Sequence, residues 1–386
     1  METAGAPPHG TRPRNRRELI IAAAADLFHR NGYRQVSVSD VAGAVNVRPS
    51  ALYRHFPGKA RLLAVVVLAE LQPFRDVVAD RPLDGMLPDL VRAALDHPRL
   101  GVLWQREARA LPADEHAMIR DELDALNGHL ASALLAARPA LDPSDAELLA
   151  WTGWAVLQIV GHHSVELPKG EYASLLEKLV RTVFAATPSP DLPQPEAVQG
   201  FAPQARRERL LAAAVPLFAA HGYNGISMED IGAAAGISGP SVYHHFRSKQ
   251  ELLYTALVRS DEWLRHDMMR ALAAASNAED ALRRLSDSYV DFAVDHITFI
   301  DILLSEARHL SDDQRPRATQ SQQEYLAEWL HLLREIRPEM PVMQARARVH
   351  AALAVINDFA FNRQLRQRPN AMPTIKHLAE LILLGT

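Results

Sequence analysis

Along residues 16–31, apolar side chains recur at Leu19, Ala23 and Leu27 and again at Ile20, Ala24 and Phe28. Two adjacent rows of four-residue spacing form one apolar stripe and predict an amphipathic helix. Gly32 follows, a residue that can close a helix in the left-handed conformation. Ser37-x-x-Asp40 has the spacing of a capping box and predicts a second, short helix ending at Asn46. Asn, like Gly, tolerates the left-handed conformation of a tight turn, and Val47 fills that turn from inside. Pro49 suits the first turn of a third helix, which carries Leu52-Tyr53-Arg54-His55-Phe56. Helix, tight turn and helix together form the geometry that sets a second helix into the major groove of DNA.

The same pattern returns later in the chain. Slid by 190 residues, Arg16–Leu63 aligns with Arg206–Leu253 without a gap, and 19 of the 48 positions are identical. Ser227-x-x-Asp230 repeats the capping box, Gly236 takes the place of Asn46, and Val242-Tyr243-His244-His245-Phe246 repeats the third helix. The repeat continues at an offset of 199. Asp96-His97 matches Asp295-His296, Glu107-Ala108-Arg109 matches Glu306-Ala307-Arg308, and Arg138-Pro139 matches Arg337-Pro338. A whole unit is therefore duplicated, with nine residues inserted between the front and back of the second copy. Pro188, Pro190, Pro193, Pro195 and Pro203 mark 187–205 as an extended linker that spans up to roughly 59 Å. The predicted organisation is a basic arm at 1–15, a head at 16–63, a helical rear domain at 64–186, the linker at 187–205, a second head at 206–253 and a second rear domain at 254–386. The fold class is all-α. Each unit is an N-terminal three-helix helix-turn-helix domain followed by a helical domain. Pro82, Pro88, Pro98, Pro112, Pro139, Pro168 and Pro338 are expected to break the rear domains into helices of ordinary length.

Composition changes this picture in one respect. The 386 residues carry a net charge of −4, which argues against a nucleic-acid partner until its distribution is read. Arg12–Lys59 holds nine Lys/Arg against three acids, and Arg206–Lys249 holds five against three, so both heads are basic and the remainder is strongly acidic. Two basic patches on an acidic body attract a polyanion. The absence of cysteine excludes disulfides and thiolate metal sites and fits a cytoplasmic protein. Met1–Arg17 has no apolar run, and no later segment approaches the roughly 18 apolar residues of a membrane span. Neither a secretory signal nor a membrane partner is expected.

The chemistry-bearing residues gather on the third helices. Arg48, Ser50, Arg54 and His55 can donate to phosphates or base edges. Ser238, Ser241, His244 and His245 stand in that stretch of the second copy, and the capping Ser37 and Ser227 join this DNA-facing set. Tyr53 and Tyr243 combine a ring for the core with a hydroxyl for a phosphate. Lys59 and Lys249 open the next helix, where free backbone N–H groups already favour an anion. Arg14 and Arg16 in the first arm, and Arg206 in the second copy, add charge beside the DNA. Phe56 and Phe246 read as core. Ser37-x-x-Asp40-Val41-Ala42 through Leu52-Tyr53-Arg54-His55-Phe56-x-Gly58-Lys59-x-x-Leu62-Leu63 resembles the DNA-binding domain of the TetR (tetracycline repressor) family. The second copy, from Ile231 through Tyr243, His245 and Lys249 to Leu253, is more similar still. The resemblance implies that Tyr53, His55 and Lys59, with Tyr243, His245 and Lys249, contact the phosphate backbone, and that the exposed start of each third helix reads bases. It also implies a rear ligand pocket and a helix pair for pairing with a second unit.

The copies depart from the family pattern differently. Arg48 and Asn46 replace a small capping residue and a Gly in the first. Pro216 lies inside the first helix of the second, where it is expected to kink that helix at a cost of ~3 kcal/mol. The heads are therefore expected to favour different half-sites. Candidate pocket residues are Trp104, Trp151, Trp154 and His162 in the first rear domain, and Tyr289, Phe292, Phe299, Asn357 and Phe361 in the second. Glu107 with Arg109, and Glu306 with Arg308, stand two apart on a helix and must find partners elsewhere, which points to interhelical ion pairs. His162, His163 and Glu166 have ligand types at helical spacing, a pattern common by chance, and no metal or cofactor is predicted. Nothing resembles a catalytic pair. Wide apolar faces at Asp145–Val160 with Tyr172–Ala185, and at Met343–Asn362 with Thr374–Leu384, call for partners. The two units are expected to supply them to each other by pairing within one chain, with pairing of two chains as the competing arrangement. The expected function is a ligand-responsive DNA-binding regulator, a repressor, that reads an imperfect palindrome. The alternatives are a regulator with one working head and a helical small-molecule-binding protein without DNA function.

Overall fold

The computed structural model describes residues 16–79, 81–162, 165–188 and 204–385, and among these every regular element is a helix. Arg14 and the rest of the arm, residues 189–203 of the linker, His163 and the side chain of His162 lie outside the described residues. The chain divides into two compact units, Met1–Val180 and Arg181–Thr386.

The first unit begins with α1 (Arg16–Asn31), α2 (Val38–Ala44) and α3 (Pro49–Tyr53), which form the head. Then come α4 (Lys59–Val78), α5 (Leu83–Asp96) and α6 (Arg99–Val102), which runs through a π-helical turn, Leu103–Glu107, and a 3-10 turn, Ala108–Ala110. α7 (Ala113–Ala137), α8 (Pro143–His162) and α9 (Lys169–Ala185) complete the series. α4 belongs to both layers. It packs on α1 in the head and on α5 and α7 behind. At 1.5 Å per residue its 20 residues make a rod of about 30 Å. Its buried stripe of Leu62, Leu63, Val66, Val67, Leu71 and Phe74 supplies core to both ends.

The later elements repeat this order. They are α10 (Arg206–His221), α11 (Met228–Ala235), α12 (Gly239–Val242), α13 (Lys249–Ala273), α14 (Ala278–Asp295), α15 (Ile297–Ser305), a 3-10 turn at Ala307–His309, α16 (Gln314–Ile336), α17 (Val342–Phe361), α18 (Arg363–Arg366) and α19 (Ala371–Leu384). The nine inserted residues are helical. α13 has 25 residues against 20 in α4, and α14 has 18 against 14 in α5. The extra length thus adds a turn or more to each arm of one hairpin, and the connecting loop keeps its length.

One proline expectation needs correction. α5 runs through Pro88 instead of ending there. Pro88 stands early in the helix, and the buried face of Met86, Leu87, Leu90 and Val91 holds the segment in place. α10 carries Pro216 in its interior, as the sequence places it, and stays one helix with Leu210, Leu211, Ala214, Val215 and Phe218 buried on one side. Packing of that face outweighs the missing hydrogen bond. The other prolines of the set stand outside helices, as their missing N–H requires.

Candidate nucleic-acid interface

Local chemistry builds both heads. The Ser37 hydroxyl accepts the Asp40 N–H at 3.1 Å, and the Asp40 carboxylate accepts the Ser37 N–H at 2.7 Å. Ser227 and Asp230 form the same pair at 3.1 and 2.8 Å. These hydrogen bonds hold the carboxyls of Asp40 and Asp230 below their ordinary range. Asn46 closes α2 at φ 53° and Gly236 closes α11 at φ 65°, both left-handed. The chain then turns back, with the Val47 N–H on the Ala42 carbonyl and the Ile237 N–H on that of Gly232. The second turn is the tighter one. A Cβ on Gly232 would come within 2.7 Å of Val242, whereas Ala42 occupies that place in the first head.

The third helices are short, and the functional stretch continues into the turn after them. Phe56 and Phe246 are buried. Tyr53 is 56% exposed and Tyr243 48%, so neither is core. Arg48, Ser50, Arg54 and His55 are exposed around Tyr53. Around Tyr243, Ser238 and His244 are exposed and His245 is half-buried. Ser238 and Ser241 share a hydrogen bond of 2.8 Å. The first head therefore presents two guanidinium groups where the second presents a serine and an imidazole. Arg16 is half-buried and Arg206 exposed. Arg207, itself exposed, braces the head from outside. It donates to the His245 carbonyl at 2.7 Å and lies 4.1 Å from the Phe246 ring centroid.

Lys59 and Lys249 open α4 and α13, but their ammonium groups turn inward. Lys59 Nζ donates to the Tyr33 carbonyl at 2.9 Å and sits 4.4 Å from the Tyr33 ring centroid. Lys249 Nζ donates to the carbonyls of Tyr223 and Ile226 at 2.5 and 2.6 Å, over the Tyr223 ring. Burial lowers the pKa of both lysines. Each clamps the loop between the first two helices onto the start of the fourth, so the recognition helix is held from behind.

A second latch reaches the heads from the rear domains. Glu107 is 2% exposed and Glu306 3%. Glu107 accepts the Tyr33 N–H at 2.6 Å and the Arg106 Nε at 2.5 Å, and Arg106 also donates to the His29 carbonyl at 3.2 Å. Glu306 accepts the Tyr223 N–H at 2.8 Å, and His309 stacks on the Tyr223 ring at 4.9 Å. The repeated glutamates thus bind main chain of the head, immediately after the left-handed glycine that ends its first helix. The repetition of Glu-Ala-Arg was visible in the sequence, but the partner lies 74 residues away in one unit and 83 in the other.

Behind the first head, a narrow cleft opens among α4 to α8, and the roughly 500 Å³ of non-atom space between its walls includes open solvent. Trp104, Trp151 and Trp154 line it together with Phe74, His97 and Gln158. Trp154 is 6% exposed, and its indole N–H has no hydrogen-bond partner. Gln158 accepts a hydrogen bond from Gln105 at 2.8 Å, and His97 meets the buried Glu70 carboxylate at 3.2 Å. A Cβ on Gly161 would fall 1.9 Å from the Pro98 carbonyl oxygen, so this glycine lets α8 and α6 approach. The candidates of the second unit sit differently. Tyr289 and Phe292 are buried, and the Tyr289 hydroxyl donates to Asn357 at 2.9 Å. Phe299 packs against Trp263 and His296, and Phe361 is half-buried at the end of α17.

Comparison with known proteins agrees with this architecture. The profile of the family described as bacterial regulatory proteins, tetR family, matches residues 20–66 and again 210–255. The chain is 36% identical over 87 residues to the HTH-type transcriptional activator FasR of Mycolicibacterium smegmatis, a match covering 22% of this chain and 40% of that protein. It is 31% identical over 144 residues to the DNA-binding transcriptional repressor TetR of Mycobacteroides abscessus, covering 36% of this chain and 68% of that one. The matched stretch is under half the length of the activator. A TetR-family transcriptional regulator from Bordetella parapertussis aligns with 47% of this chain and 96% of its own, at 22% identity and a TM-score of 0.43.

Proposed function

The chain belongs to the tetR family of bacterial regulatory proteins, as a tandem of two family units, and from that premise we propose that it is an effector-controlled repressor reading an imperfect palindrome. The observation that carries this reading is the pair of capped heads, each with an exposed tyrosine among cationic and hydroxyl side chains. Tyr53, Arg54, His55 and Arg48 are the contact set of the first head, and Tyr243, His244, His245 and Ser238 that of the second. Phosphate contacts orient each head, and the first residues of each third helix read base edges. Lys59 and Lys249 act through the loop they clamp. Their unequal side chains give the heads unequal half-sites, which is the reason for an imperfect palindrome. The relatives include both a repressor and an activator, and repression is our choice for this chain.

The effector enters the cavity of the first unit. Leu100, Gly101 and Trp104 in its wall and Glu107 on the head belong to one helical run from Arg99 to Ala110. A bound molecule that shifts this run moves the carboxylate holding Tyr33. Binding then favours one of two head positions by its differential affinity for them. No helix among the described residues is long and apolar enough to cross a membrane, in keeping with a cytoplasmic site of action. We further propose that the two units pair within one chain and place two heads about one DNA turn apart, ~34–36 Å. The test is the solution mass of the protein alone and with DNA from beside its own gene. One chain per DNA, with affinity falling steeply with salt, supports the proposal. Two chains per DNA refute intramolecular pairing and leave the regulator standing, and salt-insensitive or absent binding refutes the regulator.

A second reading is favoured by the poorer charge of the second head, which has Ser238 and His244 at the positions of Arg48 and Arg54. In that reading only the first head reads DNA. Tyr243→Ala then leaves operator affinity unchanged, whereas Tyr53→Ala abolishes it.

A further inference from the structure

The two rear domains share their element order, and an offset of 199 relates them residue by residue from α5 and α14 onward. Asp96 and Asp295 end the paired α5 and α14, Ala137 and Ile336 end α7 and α16, and His162 and Phe361 end α8 and α17. The cavity of the first unit can therefore be compared with the same volume of the second.

Three leucines of the first unit, Leu90, Leu126 and Leu130, correspond to Tyr289, Tyr325 and Trp329. These three rings pack on one another with centroids 5.9 to 6.3 Å apart, and all are buried. Gly101, in the cavity wall, corresponds to the buried Ile300. The polar groups change too. Trp154, with its unpartnered N–H, corresponds to Leu353, and Gln158 to Asn357, whose oxygen already accepts the Tyr289 hydroxyl. The second unit thus fills the volume with its own rings, and although the Trp329 indole N–H is buried there without a partner, the rings packed around it leave no room for a ligand to reach it. Close-packed interiors of this kind do not open without losing those contacts.

The first unit keeps both the space and the handle. No Asp, Glu, Lys or Arg lines the cavity. The ionisable side chain in the wall, His97, is already met by the Glu70 carboxylate at 3.2 Å, so a charged ligand would lose its hydration there without a free partner, and the occupant is neutral. Four aromatic walls, Phe74, Trp104, Trp151 and Trp154, favour a flat apolar body. The buried indole N–H of Trp154 is a donor without an acceptor. The Gln158 amide N–H₂, one turn further along α8, is a second donor, because its oxygen is taken by Gln105. Two adjacent donors ask for one acceptor atom on the ligand.

We propose that effector sensing is confined to the first unit, whose cavity takes one flat, neutral, apolar molecule bearing a hydrogen-bond acceptor, while the second unit is a self-filled, effector-insensitive partner. This rests on the reading of the cavity as the effector site, and it adds stoichiometry and ligand class. The probe is 2-acetylnaphthalene, titrated into the full chain by calorimetry without DNA, with 2-ethylnaphthalene as the comparison lacking an acceptor. The expected result is one equivalent per chain, with the ketone about tenfold tighter, the value of one net hydrogen bond. Trp154→Phe should bring the two compounds to within about twofold. Leu126→Tyr, which places the second unit's residue in the first, should abolish binding with helix content unchanged, and Tyr325→Leu should leave the first equivalent intact. Two equivalents on the unaltered chain, equal affinity for ketone and hydrocarbon, binding that survives Leu126→Tyr, or no binding of either compound overturns the proposal. DNA retention measured separately tells the failures apart. A chain that binds one equivalent but no DNA defeats the regulator reading and spares this one.

Discussion

Glu107→Ala tests whether the rear domain of the first unit grips its head. The substitution removes a carboxylate that is 2% exposed and accepts both the Tyr33 N–H and the Arg106 Nε. Breaking a buried, hydrogen-bonded ion pair by deleting one partner costs about 3–5 kcal/mol. Arg106 is about one-third exposed and regains water after the change, which moves the figure to the lower end. The Tyr33 amide remains covered and unpaired, at about 1–3 kcal/mol. Together these give a loss of about 3 kcal/mol, or roughly 6–12 °C in melting temperature for a unit of this size. Glu107→Gln keeps one acceptor for Tyr33 and should lose about half as much. Urea unfolding followed by the fluorescence of the first unit's tryptophans measures the loss. Hydrogen exchange at Tyr33 locates it, and that amide should exchange faster while the core of α7 is unaffected. Arg106→Ala combined with Glu107→Ala should cost little more than Glu107→Ala alone, since the two act on one another. A Glu107→Ala protein within about 0.5 kcal/mol of the parent, the range of ordinary surface changes, would refute the latch.

Tyr53→Phe should weaken operator binding about tenfold without lowering the melting temperature, because a half-exposed hydroxyl donates nothing to the core; unchanged retention of operator DNA would remove Tyr53 from the contact set. Gly161→Ala should destabilise the first unit by about 1–3 kcal/mol through overpacking against the Pro98 carbonyl, and a melting temperature equal to that of the parent would show that α8 can withdraw. The His350 pKa is lowered to about 4 by burial, with Arg346 adding repulsion. The unfolded chain takes up this proton below about pH 6.5 and the folded chain only near 4, so stability is full above 6.5 and declines as pH falls between the two. The total is on the order of 3 kcal/mol. His350→Gln should flatten that part of the pH–stability curve, and an unchanged slope would place the proton uptake elsewhere.

What could be read from the sequence alone is what depends on near neighbours. The capping boxes at Ser37 and Ser227, the left-handed Asn46 and Gly236, the proline that opens α3 and the duplication all rest on interactions within a few residues. Such interactions form in any chain with that spacing. The buried Phe56 and Phe246 were legible as core, whereas the rings of Tyr53 and Tyr243, which read as facing the core, are exposed. Pro88 reads as a helix breaker because the gain from packing its helix's buried face is not visible in a local window. Lys59 and Lys249 read as outward cations, since a spacing cannot say that loop carbonyls 23 to 26 residues away will turn towards them. The same limit applies to Glu107 and Glu306, whose repetition marked them but whose partners are main-chain amides of a different domain. It applies also to the cavity. Trp104, Trp151 and Trp154 were legible as aromatic residues, but only packing decides whether rings enclose a space, as in the first unit, or fill it, as Tyr289, Tyr325 and Trp329 do in the second. The sequence determined the family, the duplication and the heads through short-range chemistry. The tertiary structure decided which of two similar units stays hollow, because that depends on volumes brought together from four helices at once.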